Sequence, residues 1–79
     1  MPTELDLRHL SAPEPMLRAL DAADALAPGE VLVVVTPILP RPLLMELAAR
    51  GFEADPGTPQ HDGSVRVLIR RPDDAQTAP

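Results

Sequence analysis

The sequence predicts an α/β fold, specifically a two-layer α+β sandwich with the element order β-α-β-α-β-β. Apolar and polar residues alternate with period two near both ends of the chain, residues 31–35 are uninterruptedly apolar, and two segments with helical spacing separate these strands. Right-handed crossovers then place both helices on one face of a mixed four-stranded sheet. The other face stays partly open, and it receives the polar strand residues Glu4, Asp6, Arg66 and Arg70.

The first strand is predicted near residues 4–8 and the first helix near residues 13–26. Prolines in a first helical turn remove only amides that have no intrahelical partner, so Pro13-Glu14-Pro15 suits a helix start. Ser11 followed by Glu14 fits a capping box, and Ala12 is an equally good cap position. Glu14 also precedes Arg18 by four residues, the favourable order for an ion pair on a helix. The apolar stripe of this helix consists of Met16, Leu20, Ala23 and Leu26.

The second half of the chain repeats this change of period. A β-branched strand near 30–36 has the composition of a strand covered on both faces. A second amphipathic helix near 41–50 ends at Gly51, and two strands follow near 52–55 and 64–70. The inward residues of the second helix are predicted to be Leu43, Leu44, Leu47 and Ala48. We therefore expect one domain over residues 1–71 and a disordered tail over residues 72–79.

Composition narrows the classes of function. The chain has no cysteine, which excludes thiol nucleophiles, thiolate metal sites and persulfide chemistry. Small secreted domains commonly rely on disulfides, so a cysteine-free chain with no visible signal peptide favours the cytoplasm. The net charge of −5 and the single aromatic residue, Phe52, argue against nucleic-acid binding. The longest apolar run, residues 31–35, is too short to span a bilayer, so we expect no membrane insertion.

Several segments resemble known families. Leu5–Arg8 followed by Pro13–Met16 resembles the opening of the TusA/SirA-like sulfur carriers, in which a leucine-aspartate-arginine strand precedes a cysteine-proline-x-proline motif. Residues 27–32, 40–43, 50–52 and 67–69 are more similar to a related uncharacterised family called domain of unknown function 2249. The resemblance covers roughly residues 4–71. It implies the fold of these families and leaves the activity open.

Two positions depart from the patterns of these families. Ala12 stands where the sulfur carriers have their cysteine, so persulfide relay from this position is impossible. Many members of the uncharacterised family carry a His-Asp pair just before a proline-basic-proline segment, and here Ile38-Leu39 occupies that place. The resemblance therefore transfers neither sulfur chemistry nor the chemistry of that pair to this chain.

The titratable residues do not form a catalytic or metal-binding pattern. His9 and His61 are the only histidines and lie in separate predicted loops. Ser11 and Ser64 have ordinary explanations as a cap and a strand start. We predict no catalytic residue, no metal site and no cofactor.

One group of residues is a candidate binding site. Both helices are predicted to begin at the edge of the sheet where the first two strands end, and a helix amino terminus attracts anions. We predict that this edge binds a small anion or an acidic segment of a protein partner. The alternative is that Arg8 and Arg41 only pair with Asp6, Glu14 or Glu46. The candidate residues are Arg8, His9, Ser11, Ala12, Glu14, Thr36 and Arg41.

These patterns favour a non-catalytic binding or accessory module with an unidentified protein partner. By analogy with the relatives, the resemblance implies a role linked to redox, sulfur or metal metabolism. The alternative is a sulfur-carrier or sulfurtransferase component that has lost its cysteine and keeps its docking surface. Position 12 separates the two, because a cysteine there would favour the carrier whereas alanine favours binding.

Overall fold

The computed structural model describes residues 3–73 and confirms the predicted order of elements. Every boundary lies within two residues of its predicted position. The strands are β1 (Thr3–Asp6), β2 (Val31–Thr36), β3 (Glu53–Pro56) and β4 (Val65–Arg70), and the helices are α1 (Glu14–Asp24) and α2 (Arg41–Ala49). Of the tail predicted over residues 72–79, residues 74–79 lie outside the described residues, and residues 72 and 73 belong to no helix or strand.

The strands form one mixed sheet in the order β1-β2-β4-β3. β1 pairs with β2 in parallel, whereas β4 pairs antiparallel with both β2 and β3. Asp6 lies opposite Val35, and Thr36 lies opposite Val65. The carboxyl ends of β1 and β2 and the amino end of β4 therefore meet at one end of the sheet, which we call the loop end. Both helices begin at this end, as the sequence predicts.

The core lies between the helices and one face of the sheet. Side chains alternate along β4, so that Val65, Val67 and Ile69 are buried while the residues between them are more exposed. The helices supply the opposite wall of this core. Its buried residues are Leu7, Ala19, Leu20, Ala23, Leu32, Val34, Leu43, Leu47, Val65, Val67 and Ile69.

The second face of the sheet is open, as predicted, and this changes the interpretation of β2. Its apolar run predicted cover on both faces, but Val31 and Val33 are only half-buried. They share the open face with Leu68, which is 44 % exposed. The run reflects a central position in the sheet rather than two covering layers, because both helices pack on the same side.

Two features of the helices differ from those predicted from the sequence. The N-cap of α1 is Pro13, with no side-chain cap, so neither Ser11 nor Ala12 caps this helix. The amide of Glu14 instead donates to the backbone carbonyl of Ser11 (2.9 Å). In α2, Ala48 is exposed rather than inward, because the core-facing residues Leu43 and Leu47 recur every four positions. The predicted stop at Gly51 is confirmed by its φ of 89°, which glycine adopts without steric cost.

Arg50 connects the carboxyl ends of the two helices. Its Nε donates to Glu46 Oε2 (3.0 Å) within the turn that ends α2, and its Nη1 donates to Asp24 Oδ2 (2.8 Å) at the end of α1. The hydrogen bond with Glu46, together with the nearby Asp24, raises the pKa of Arg50 above its usual value. The helices are thus joined at the end of the molecule opposite to the loop end.

Candidate functional site

An apolar cleft of about 450 Å³ opens at the loop end, on the helix side of the sheet. It lies between the segment that precedes and begins α1 and the segment that joins β2 to α2. Its lining residues are almost all apolar, and prolines contribute much of the surface. They are Leu10, Ala12, Pro13, Pro15 and Met16 on one side, and Thr36, Pro37, Ile38, Leu39, Pro40, Pro42 and Leu43 on the other.

Thr36 fixes the second wall of the apolar cleft. Its buried hydroxyl donates to the carbonyl of Ile38 (2.8 Å) and lies within hydrogen-bonding distance of the carbonyl of Val65 (3.3 Å). These contacts attach the loop after β2 to the neighbouring strand β4. The amide of Arg41 then donates to the carbonyl of Leu39 (3.1 Å) as α2 begins. The wall is therefore held by hydrogen bonds, although its surface is apolar.

The side chains of the apolar cleft differ sharply in exposure. Leu43 is 1 % exposed and also belongs to the core, whereas Ile38 is 70 % exposed. Met16 and Leu39 are half-buried and pack against the core. Contiguous exposed apolar surface is typical of an interaction site, and Ile38 extends the apolar wall of this cleft into water.

A second, charged cleft of about 290 Å³ lies at the same end, on the open side of the sheet. Arg8 donates from Nε and Nη2 to the two carboxylate oxygens of Asp6 (2.9 and 2.7 Å). Arg66 forms an ion pair with Glu4 across the sheet. The hydrogen bonds from Arg8 lower the pKa of Asp6 well below its usual range, and the same carboxylate raises the pKa of Arg8. The remaining lining residues are Val35, Gln60 and Ser64.

Arg41 differs from the other arginines of the chain. Five of the seven arginines form ion pairs with acidic side chains, and Arg71 donates to the carbonyl of Leu26 (2.6 Å). Arg41 has neither an ion pair nor a side-chain hydrogen bond with the described residues. It is exposed and lies between Pro40 and Pro42, which both line the apolar cleft.

The structure distributes the seven predicted site residues over several places. Ala12 and Thr36 line the apolar cleft, and Arg8 lines the charged cleft, where it pairs with Asp6 as the alternative interpretation expected. Glu14 pairs with Arg18 (3.4 Å), the predicted i, i+4 contact. The predicted pairing of Arg41 with Glu14 or Glu46 is absent from residues 3–73. His9 and Ser11 are exposed and line neither cleft.

The other titratable groups form no metal centre within residues 3–73, where no cluster of three or more His, Cys, Asp or Glu side chains has a suitable geometry. Asp62, which follows His61, accepts hydrogen bonds from Ser64, and these lower the pKa of its carboxyl. No helix within the same residues has the length and apolar character needed to cross a membrane.

Most of the residues of the apolar cleft were not among those predicted from the sequence. Its prolines and the Ile38-Leu39 pair come from two segments more than twenty residues apart, and only the fold brings these segments together. One signal was available, because two large aliphatic residues in a predicted loop have no strand or helix face that would bury them. It applies to the exposed Ile38, whereas Leu39 is half-buried and packs against the core.

The two-layer architecture is that of the SirA-like proteins. A SirA-like protein from Desulfitobacterium hafniense has a crystal structure that superposes with a TM-score of 0.74, at 20 % sequence identity, over 90 % of this chain and 99 % of that protein. This likeness shows the fold. The family profile described as "Uncharacterized conserved protein (DUF2249)" matches residues 4–71, and the chain belongs to this family. No curated protein matches the sequence.

Proposed function

We propose that this protein is a non-catalytic binding module and that its apolar cleft receives an apolar segment of a protein partner. The observation that carries this proposal is the cleft of about 450 Å³ at the loop end, which is lined by aliphatic side chains and prolines. Ile38 extends from its wall with 70 % of its surface in water. Covering an aliphatic side chain of this size contributes on the order of 1–2 kcal/mol to association.

The chemistry of the cleft supports binding rather than catalysis. Thr36 is the one hydroxyl-bearing residue of the lining, and its hydroxyl already donates to the carbonyl of Ile38. The rest of the lining carries neither a nucleophile nor an acid–base group. A general acid or base must reach the proton that it transfers, and no side chain of this wall is suited to that role.

The proposal also places this module in the cytoplasm, with a partner from redox, sulfur or metal metabolism. The resemblance to the TusA/SirA-like carriers supports a partner in redox, sulfur or metal metabolism, and the cysteine-free composition supports a cytoplasmic location. A small anion at the loop end is the other ligand class that the sequence predicts. Arg8 is engaged by Asp6, so Arg41 is the cation left for such an anion among the predicted residues.

Site-specific photocrosslinking tests the position of the binding surface. Benzoyl-phenylalanine is introduced in place of Ile38 in the apolar cleft, or in place of Leu68 on the open sheet face as a matched exposed control. We expect a discrete adduct from position 38 in cell extract, with its affinity confirmed by calorimetry on the purified partner. An adduct from position 68 alone would assign binding to the open sheet face and refute the proposal.

A second candidate function is a carrier component that has lost its cysteine. The position of Ala12 favours it, because this residue is exposed and lines the apolar cleft where the sulfur carriers have their cysteine. A retained docking surface predicts that Ala12→Cys accepts sulfur from a cysteine desulfurase, seen by intact mass as the addition of one sulfur atom. Ala48→Cys, an exposed position on α2, is the control. Equal labelling of both variants would indicate exposure alone, and the unaltered chain should gain no mass.

A further inference from the structure

We propose that the occupant of the apolar cleft is an amphipathic helix of the partner, with an acidic side chain beside its apolar stripe that pairs with Arg41. This inference rests on the proposed function and specifies the chemistry of the partner. Two independent features carry it: the charge of Arg41, which has no partner among residues 3–73 and lies between two cleft-lining prolines, and the shortage of backbone N–H donors on the cleft wall.

Within the described part of the chain, the charge of Arg41 is not paired, although the protein has an excess of acidic residues. The formal net charge is −5, so a shortage of carboxylates does not explain why this arginine has no partner among residues 3–73. Arg41 is the first residue of α2, whose first turn contains no acidic residue and whose amino terminus carries partial positive charge. α1, by contrast, has Glu14 in its first turn. A carboxylate next to Arg41 would pair with its guanidinium and would also offset the partial positive charge at the amino terminus of α2.

The wall of the cleft favours a helical occupant over an extended one. Five of its lining residues are prolines, which have no backbone N–H to donate: Pro13, Pro15, Pro37, Pro40 and Pro42. An extended peptide would press its own unpaired backbone groups against this apolar surface, and each unsatisfied group costs free energy. A helix satisfies its backbone internally and presents only side chains to a groove.

A small anion alone fits this surface less well. It would use the charge of Arg41 but would leave Ile38 and the apolar walls exposed to water. An acidic residue at the border of an apolar stripe uses both features together. The occupant therefore combines an aliphatic face with a carboxylate at its edge.

Three synthetic peptides of about 18 residues, long enough for measurable helicity, test the inference. They share a leucine-rich amphipathic pattern and differ only at the border of the stripe, which carries glutamate, glutamine or lysine. Each is titrated into the ¹⁵N-labelled protein while amide shifts are followed. We expect shifts clustered at residues 10–16 and 36–43, with the glutamate peptide binding roughly three- to tenfold more tightly than the glutamine peptide and the lysine peptide weakest.

Charge reversal at the protein supplies the matched control. Arg41→Glu should reverse the order of the glutamate and lysine peptides, because attraction becomes repulsion. Arg70→Glu makes the same change in net charge on the open face, where Arg70 pairs with Glu53, and should leave the order unchanged. A reversal by both variants would mean that net charge alone sets the preference, and this would overturn the role of Arg41.

The remaining outcomes separate this inference from the proposed function. Equal affinities of the three peptides, with shifts confined to the cleft, would overturn the acidic helix and leave an apolar binding module intact. Tighter binding of decanoate than of every peptide would identify an acyl chain and overturn the helical occupant. Saturable shifts with sulfate alone, with no advantage for any peptide, would overturn it in favour of a free anion. Shifts on the open sheet face, or none with any probe, would overturn both proposals.

Discussion

The two clefts lie at the same end of one sheet but differ in whether their charged residues are paired. In the charged cleft, Arg8 pairs with Asp6 and Arg66 pairs with Glu4. The apolar cleft has no charged residue in its lining, and Arg41 at its border has no partner among residues 3–73. A partner that binds paired charges must first replace existing contacts, so it gains little. Of the two clefts, the apolar one therefore better fits the proposed binding function, because its exposed apolar surface and Arg41 have contacts still to make.

The largest effect is expected where the apolar cleft and the core share a residue. Leu43→Ala should lower the free energy of unfolding by about 2–5 kcal/mol, because Leu43 is 1 % exposed and its truncation leaves a cavity. Met45→Ala on the same helix is the control, since Met45 is 74 % exposed. The measurement is urea unfolding monitored by circular dichroism, because the chain has no tryptophan whose fluorescence could report unfolding. A loss below 1 kcal/mol for Leu43→Ala would contradict the packing described for this wall.

The next effect concerns the hydrogen bonds that hold the loop after β2. Thr36→Val keeps the shape of the side chain but removes the hydroxyl that donates to the carbonyl of Ile38 and lies near the carbonyl of Val65. We expect a loss of about 1–3 kcal/mol in the free energy of unfolding. We also expect amide shift changes that extend through residues 37–40, the wall of the apolar cleft. Thr58→Val, in an exposed loop, should change neither quantity. Unchanged amides at 37–40 would show that the loop does not depend on this hydroxyl.

A smaller effect of opposite sign is expected at Arg41. Its positive charge lies at the positive end of α2, so Arg41→Gln should leave stability unchanged or raise it by about 0.3–1 kcal/mol. The same variant should weaken binding of the glutamate peptide. Arg50→Gln, which breaks the contacts to Asp24 and Glu46, should destabilise instead. If Arg41→Gln destabilised the protein as Arg50→Gln does, Arg41 would have a structural partner and the contrast between the clefts would fail.

The smallest effect is a pH dependence in the charged cleft. The pKa of Asp6 is lowered in the folded protein by the hydrogen bonds from Arg8. The folded state therefore binds fewer protons than the unfolded state, and the stabilisation is complete above the unfolded pKa of about 3.9. It is lost as the pH falls through the lower folded value. The stability difference between the unaltered chain and Asp6→Asn should thus narrow below about pH 4.

A double-mutant cycle with Arg8→Gln checks the cause of this pH dependence. Once Asp6→Asn is present, Arg8→Gln should add little further change, because the pair is already broken. Additive effects of the two substitutions would show that a group other than Arg8 lowers the pKa of Asp6.

The elements of the fold could be predicted from local patterns, whereas the cleft could not. The alternation in Val65–Arg70 and the helical spacing in Arg41–Ala49 each depend only on neighbours in sequence. Both elements could therefore be predicted from local patterns. The acidic residue with which an arginine pairs depends on the face of the sheet on which the arginine side chain lies. β1 ends at Asp6, and Arg8 joins the open face rather than the helix side where Ala12 lies. Sequence order placed Arg8 and Ala12 near one end of the sheet but could not assign them to opposite faces, whereas Asp6, within a strand, was assigned to the open face.

The contact that joins α1 and α2 has a mechanical consequence for the apolar cleft. Arg50 holds Asp24 and Glu46 together at the carboxyl ends of the helices, while the cleft separates their amino ends. Two rods fastened at one end can widen the gap at the other only by turning about the fastening. The cleft should therefore accommodate a wider occupant by a small rotation of α1 against α2, with Arg50 as the pivot. Surface ion pairs of this kind are individually weak, so the resistance to such a rotation would come from the packing of Leu20, Leu43 and Leu47 in the core.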